Sequence, residues 1–140
     1  MIKELKNILL IEDDPITNFI NQRLIKKVNP SLQVTIAHNG KEGLSYIMEC
    51  KVKNQCIPQL IFLDINMPVM DGFEFLQEFQ KLKLNEKTVI VMLTTSTHLK
   101  DLDKLFQSGN SDIIAKPFSE DKFIAILEKY FDVKQYCQTG

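Results

Sequence analysis

Four apolar runs in the sequence each end in polar side chains that are suited to metal or phosphate chemistry. Glu12 and Asp13 follow the first of these runs, Asp64 the second, Thr94 the third and Lys116 the fourth. If the runs are strands of one parallel sheet, their carboxyl ends meet at one edge of that sheet. The five side chains would then lie in one small site.

Three carboxylates at such an edge would repel one another, by roughly 1 to 4 kcal/mol for a pair about 4 Å apart. A divalent cation removes this conflict, and ligand sets made only of oxygen suit Mg2+. With the ion present, the Asp64 carboxylate is able to attack a phosphoryl group and form an acyl phosphate. The Lys116 ammonium and the Thr94 hydroxyl would then contact the phosphoryl oxygens. Pro117 fixes the chain direction just after the lysine.

Short apolar runs alternate with helical periodicity along the whole chain. The predicted strands are 8–11, 32–36, 60–63, 89–93 and 113–115, and the predicted helices begin near Asp14, residue 40, Gly72, Leu99 and Ser119. The first helix has Pro15 in its first turn and one apolar stripe formed by Ile16, Ile20, Leu24 and Val28. Continuously apolar central runs are typical of parallel strands covered on both faces. The pattern predicts a doubly wound α/β fold with five parallel strands and five helices.

Size and composition favour one ordinary globular domain. The chain has 140 residues, which predicts a single domain over 1–140 with a core from about 5 to 132 and a loosely held tail from 133 to 140. A net charge of -1 gives no general attraction to nucleic acid or anionic membrane, and no apolar stretch approaches the roughly 20 residues of a membrane span. Cys50, Cys56 and Cys137 lack metal-ligand spacing, which predicts reduced thiols in a cytoplasmic protein.

The four strand-end motifs occur in the order and spacing of a known family. They read ILLIEDDP from Ile8, LDINMPVMDG from Leu63, MLT from Met92 and AKPF from Ala115. Over about residues 5 to 132 the chain resembles a response regulator receiver domain of two-component signalling, similar to the stand-alone chemotaxis type. The resemblance implies a flavodoxin-like sheet with the strand order 2-1-3-4-5.

The resemblance also implies a role for each matching position. Asp64 would accept the phosphoryl group, Thr94 would be the switch hydroxyl and Lys116 would contact the phosphate. The Mg2+ ligands would be Asp13 and Asp64 directly, Glu12 through a bound water, and Asn66 through its backbone carbonyl.

The implied partners are a sensor histidine kinase or a histidine phosphotransfer protein, docking near the first helix and the loop around Pro117. The phosphorylated domain would control an unknown downstream protein, as a monomer or a phosphorylation-dependent dimer, without direct contact to nucleic acid or membrane. It would assist its own phosphorylation and dephosphorylation without being an enzyme. The alternatives are a phosphorelay intermediate and a receiver excised from a larger regulator. Met1 and a non-apolar tail favour a natural single-domain product, and the roughly 10 residues after the last helix are too few for an effector domain.

Two positions depart from the family's commonest pattern. Ile113, three residues before Lys116, stands where the family usually has Tyr or Phe, so the usual rotation of an aromatic ring is not available. Thr95 stands where a small residue such as Ala is common, and its bulk is expected to narrow access to the phosphoryl group.

Two further classes of protein use similar residues or a similar fold. An aspartyl-phosphate phosphatase of the haloacid dehalogenase type needs Asp-x-Asp on its first strand, but Asp64 is followed two residues later by Asn66. A flavin- or nucleotide-binding module needs a glycine-rich phosphate loop, and the five glycines are dispersed. Both classes are less consistent with the sequence than the receiver domain.

Overall fold

The structure, a computed structural model, describes residues 4–53, 57–65, 70, 72–84, 88–94 and 111–131. Five strands lie in these ranges: β1 (Asn7–Ile11), β2 (Gln33–Ala37), β3 (Leu60–Asp64), β4 (Val89–Thr94) and β5 (Ser111–Ala115). The helices in the same ranges are α1 (Pro15–Val28), α2 (Gly40–Val52), α3 (Gly72–Lys81) and α4 (Glu120–Tyr130). The helix predicted to begin near Leu99 and the predicted tail from 133 to 140 lie outside the described residues. None of the helices described has the length and apolar composition of a membrane span.

All five strands are parallel and lie in the order β2-β1-β3-β4-β5, which confirms the predicted fold. The register pairs Ile11 with Leu63, Asp64 with Leu93 and Thr94 with Ala115. The carboxyl ends of β1, β3, β4 and β5 are therefore level with one another. Because of this alignment, the polar residues at the strand ends lie together at the carboxyl edge of the sheet.

Two of the predicted helix caps are present in the structure. The Asp14 carboxylate accepts hydrogen bonds from the backbone N–H groups of Ile16 and Thr17 at the start of α1. The Ser119 hydroxyl accepts a hydrogen bond from the Lys122 N–H at the start of α4. Each cap stabilises a helix by satisfying a donor that has no partner within it.

The sheet separates two hydrophobic cores. The α1/α4 core contains Ile8, Leu10, Ile25, Leu60, Phe62, Val91, Leu93, Ile114, Phe123 and Leu127. The α2/α3 core contains Leu9, Ile11, Ile47, Cys50, Ile61, Leu63, Phe75, Leu76, Ile90 and Met92. Successive residues of β1, β3 and β4 alternate between the two cores, as side chains of a strand covered on both faces must.

Helix α1 buries only the second half of the apolar stripe that its sequence shows, since Leu24 and Val28 are partly buried against the α1/α4 core. The side chains of Ile16 and Ile20 are 69% and 55% exposed, whereas Asn18, Asn21 and Ile25 are buried. The Asn18 side-chain amide donates a hydrogen bond of 2.9 Å to the backbone carbonyl of Glu12. This buried hydrogen bond accounts for the orientation of the first half of the helix, since it requires the Asn18 face to point at the end of β1.

Candidate functional site

Three carboxylates meet at the carboxyl edge of the sheet. One side-chain oxygen from each of Glu12, Asp13 and Asp64 lies within 4.8 Å of the other two. Glu12 and Asp64 are only 5% and 3% exposed, whereas Asp13 is exposed. The predicted acidic cluster is thus brought together, with two acids inside the protein and one at its surface.

Lys116 supplies the opposite charge. Its Nζ lies 2.9 Å from Asp64 Oδ1 and 3.8 Å from Glu12 Oε1, and its side chain is about one third exposed. The Lys116 N–H donates a hydrogen bond of 2.7 Å to the carbonyl of Thr94, which ties β5 to the end of β4. The following peptide bond, to Pro117, is cis.

Lys116 and Asp64 form an ion pair, but the Lys116 ammonium is not aligned to donate a hydrogen bond to Asp64 Oδ1. Asp64 Oδ1 is buried and accepts no hydrogen bond in the part of the chain described, although the ammonium lies beside it. A buried carboxylate oxygen in this condition retains lone pairs that are available for another cationic partner.

The pKa of Glu12 is shifted, mainly by burial. Burial raises the pKa of the Glu12 carboxyl from 4.5 to about 7, and a hydrogen bond with Asp13 and the charge of Asp64 act in the same direction. The Asp14 N–H, 3.1 Å from Glu12 Oε2, and the Lys116 ammonium oppose this rise. Without a cation, Glu12 therefore keeps its proton to a higher pH than an ordinary glutamate does.

The donor set fits Mg2+. It consists of carboxylate oxygens alone, it includes the buried Asp64 oxygen that accepts no hydrogen bond, and its charge exceeds what one lysine balances. Asn66, whose backbone carbonyl is the fourth predicted ligand, lies outside the described residues. Thr95, predicted to narrow the site, also lies outside them.

The other predicted positions surround this centre. Thr94 is buried at the end of β4, and Pro117 is exposed beside Lys116. Ile113 is half-buried and packs against the α2/α3 core. Phe118 lies two residues after Lys116, and the centre of its ring is 4.8 Å from the centre of the Phe62 ring on β3.

The sequence did not point to Asn18 or to Lys122 as part of the site. Asn18 supports the carbonyl of Glu12, and the Lys122 ammonium donates hydrogen bonds to the carbonyls of Ala115 and Pro117. A signal for Asn18 was available, because Asn18 and Asn21 are three residues apart and so share one face of α1. A lysine in the first turn of a helix gives no comparable signal.

Comparison with known proteins agrees with this geometry. The family model described as "Response regulator receiver domain" matches residues 8–128. The Bacillus subtilis protein named "Probable C4-dicarboxylate response regulator DctR" is 36% identical over 133 residues, which are 95% of this chain and 55% of that protein. The chain thus spans about half the length of this curated relative.

Solved structures show the same fold. A two-component response regulator from Cytophaga hutchinsonii aligns with a TM-score of 0.80 at 24% identity, covering 91% of this chain and 98% of the other. A two-component response regulator from Legionella pneumophila aligns with a TM-score of 0.74 at 28% identity, covering 89% and 97%. With the family model matching most of its length, the chain belongs to the response regulator receiver domain family.

Proposed function

We propose that Asp64 accepts a phosphoryl group from a phosphohistidine, assisted by Mg2+ bound at Glu12, Asp13 and Asp64. The observation that carries this proposal is the environment of the Asp64 carboxylate. It is 3% exposed, it lies 2.9 Å from the Lys116 ammonium, and it shares a 4.8 Å cluster with two more acids.

The transfer exchanges one bond to phosphorus for another. An Asp64 carboxylate oxygen forms a bond to phosphorus while the phosphorus–nitrogen bond breaks, and the electron pair of that bond stays on the donor imidazole. Bound Mg2+ would neutralise charge on the phosphoryl oxygens. Lys116, which lies beside Asp64, would pair with the new group, and Thr94, at the end of the strand next to β3, would donate its hydroxyl to it.

The same contacts provide a conformational switch. The acyl phosphate carries about one more negative charge than the carboxylate it replaces. An arrangement in which Lys116 and Thr94 approach the phosphoryl group gains contacts that the unphosphorylated form lacks, so phosphorylation shifts the equilibrium toward it. Because Ile113 packs against the α2/α3 core and has no ring to rotate, the proposed readout is movement of the chain around Thr94 and Pro117.

The proposed phosphoryl donor is a histidine kinase or a histidine phosphotransfer protein in the cytoplasm. Support comes from the surface beside the acids, where Ile16, Phe19 and Ile20 are 69%, 59% and 55% exposed on α1. An apolar helix face next to a reacting carboxylate suits a protein partner better than a small substrate. The output is proposed to be control of a downstream protein or onward relay of the phosphoryl group.

Incubation with acetyl phosphate and Mg2+ tests the proposal. The intact mass is expected to rise by one phosphoryl group in the wild type, and neither in Asp64→Asn nor in the wild type with EDTA. Glu49→Gln, which replaces an exposed acid on α2, is the control and should be phosphorylated normally. Equal labelling of Asp64→Asn would exclude Asp64 as the acceptor.

Phosphatase activity is the competing function. We propose that the domain is not an enzyme toward other substrates, so a phosphomonoester should show no turnover that depends on Asp64. Multiple turnovers lost in Asp64→Asn would favour the phosphatase instead. Transfer from the phosphorylated protein to a purified histidine phosphotransfer protein would identify a relay.

A further inference from the structure

Lys122 holds the chain on both sides of Lys116. Its Nζ donates a hydrogen bond of 2.7 Å to the carbonyl of Ala115 and another of 2.9 Å to the carbonyl of Pro117. These two carbonyls belong to the residues immediately before and after Lys116. The N–H of Lys116 is in turn bonded to the Thr94 carbonyl. The backbone around Lys116 is therefore held from β4 on one side and from α4 on the other.

The position of Lys122 is electrostatically unfavourable for a lysine without such partners. It lies in the first turn of α4, where its own N–H is capped by Ser119 and where the positive end of the helix dipole repels a cation. Hydrogen bonds from an ammonium to two carbonyl oxygens offset that repulsion, because charge-assisted bonds are stronger than neutral ones. The side chain therefore turns back over the loop that carries Lys116.

Fixing the loop matters for Lys116 because its side chain is long and flexible. A lysine side chain loses considerable rotamer freedom when its ammonium is held at one place, and a mobile backbone would add to that cost. Near Asp64, the ammonium must stay within reach of a group that changes from a carboxylate to an acyl phosphate. A fixed backbone limits the positions it can take.

We propose that Lys122 is a positioning residue that acts through Lys116, holding the Ala115–Pro117 backbone so that the Lys116 ammonium reaches the acceptor. Its effect on phosphoryl transfer rests on the function proposed above, whereas its effect on the loop does not. Lys122 itself makes no contact with Asp64 in this role.

The first test measures the loop without any phosphoryl chemistry. Amide hydrogen exchange at Lys116, followed by NMR, is expected to be about tenfold faster in Lys122→Met than in the wild type. Lys129→Met is the matched control, because it removes a lysine from the same helix whose partner is the Asp112 side chain. Exchange at Lys116 that is no faster in Lys122→Met than in Lys129→Met would overturn the proposal.

The second test measures whether Lys122 acts through Lys116. Phosphorylation by acetyl phosphate at saturating Mg2+ should be about tenfold slower in Lys122→Met than in the wild type. In a Lys116→Met background, the same change should leave the residual rate unaltered, since there is no ammonium left to position. An equal loss in both backgrounds would refute action through Lys116. A wild type that takes up no phosphoryl group would instead contradict the proposed function, and the exchange measurement would still decide the positioning role.

Discussion

Replacing Glu12 with Gln should stabilise the metal-free protein at alkaline pH. The pKa of Glu12 is about 7 in the folded protein and 4.5 without the protein environment. Between these two pH values the folded state binds more protons than the unfolded chain, so the free energy of unfolding falls as pH rises through this window. Glutamine is neutral at every pH and avoids the loss.

The size of the effect follows from the pKa difference. Each tenfold change in proton affinity corresponds to about 1.4 kcal/mol, so the wild type should lose about 3 kcal/mol of its free energy of unfolding by pH 8.5. Glu12 is largely buried, so solvent screening is modest and leaves an expected loss of about 2 to 3 kcal/mol. The advantage of Glu12→Gln should therefore be about 2 to 3 kcal/mol at pH 8.5 and no more than about 1 kcal/mol at pH 5.

Urea unfolding followed by far-UV circular dichroism, in EDTA at pH 5, 7 and 8.5, measures these differences. Glu128→Gln is the control, because it removes an exposed glutamate from α4 and should change stability little at any pH. A stability difference between Glu12→Gln and the wild type that is the same at pH 5 and pH 8.5 would refute the electrostatic account of this pocket.

Three more outcomes are expected. Mg2+ should raise the melting temperature of the wild type more at pH 8.5 than at pH 5.5 in calorimetry, because protons compete with the ion for Glu12. Gly72→Ala should lower the unfolding free energy measured in urea by about 2 kcal/mol, because a Cβ there would lie 3.0 Å from the Asp64 carbonyl oxygen. Asn18→Ala should cost roughly 1 to 3 kcal/mol in the same assay by leaving the Glu12 carbonyl without its donor, and an unchanged midpoint would show that the bond contributes little.

The strand ends were predictable because their sequence signal is local. Each buried strand is a short apolar run, and the first polar residue after it marks the edge of the sheet. In a parallel sheet all such edges coincide, so the sequence alone places Glu12, Asp64 and Lys116 together. The caps at Asp14 and Ser119 were predictable for the same reason.

The burial of the first half of α1 was not predictable from its apolar stripe, although Leu24 and Val28 in the second half do pack against the core. Ile16 and Ile20 suggested the buried face, but a hydrogen bond between Asn18 and the end of β1 decides the orientation there. Hydrophobic periodicity predicts the buried face of a helix from its apolar content alone. It does not take account of a polar side chain that donates a hydrogen bond to a particular backbone carbonyl.

The contacts of Lys122 could not be predicted from the sequence, because only the folded chain brings its partners close to it. A lysine in a first helical turn reads as a solvated surface residue, and nothing in the sequence indicates that Ala115 and Pro117 present their carbonyls to it. Such backbone-directed contacts depend on the path of a loop, which residue type alone does not specify.

The division of the interior by the sheet has a consequence for protein engineering. By strand alternation, Glu12 and Asp64 lie on the same face as Leu10 and Phe62, over the α1/α4 core, and Ile47 and Phe75 pack on the other side. Volume changes at Ile47 and Phe75, away from Gly72 and Ile113, should therefore alter thermal stability with less effect on the acidic pocket than changes at Leu10 or Phe62. Substitutions in that part of the α2/α3 core are therefore the ones to use for raising the melting temperature of this domain while keeping the pKa values and metal affinity of the acidic pocket.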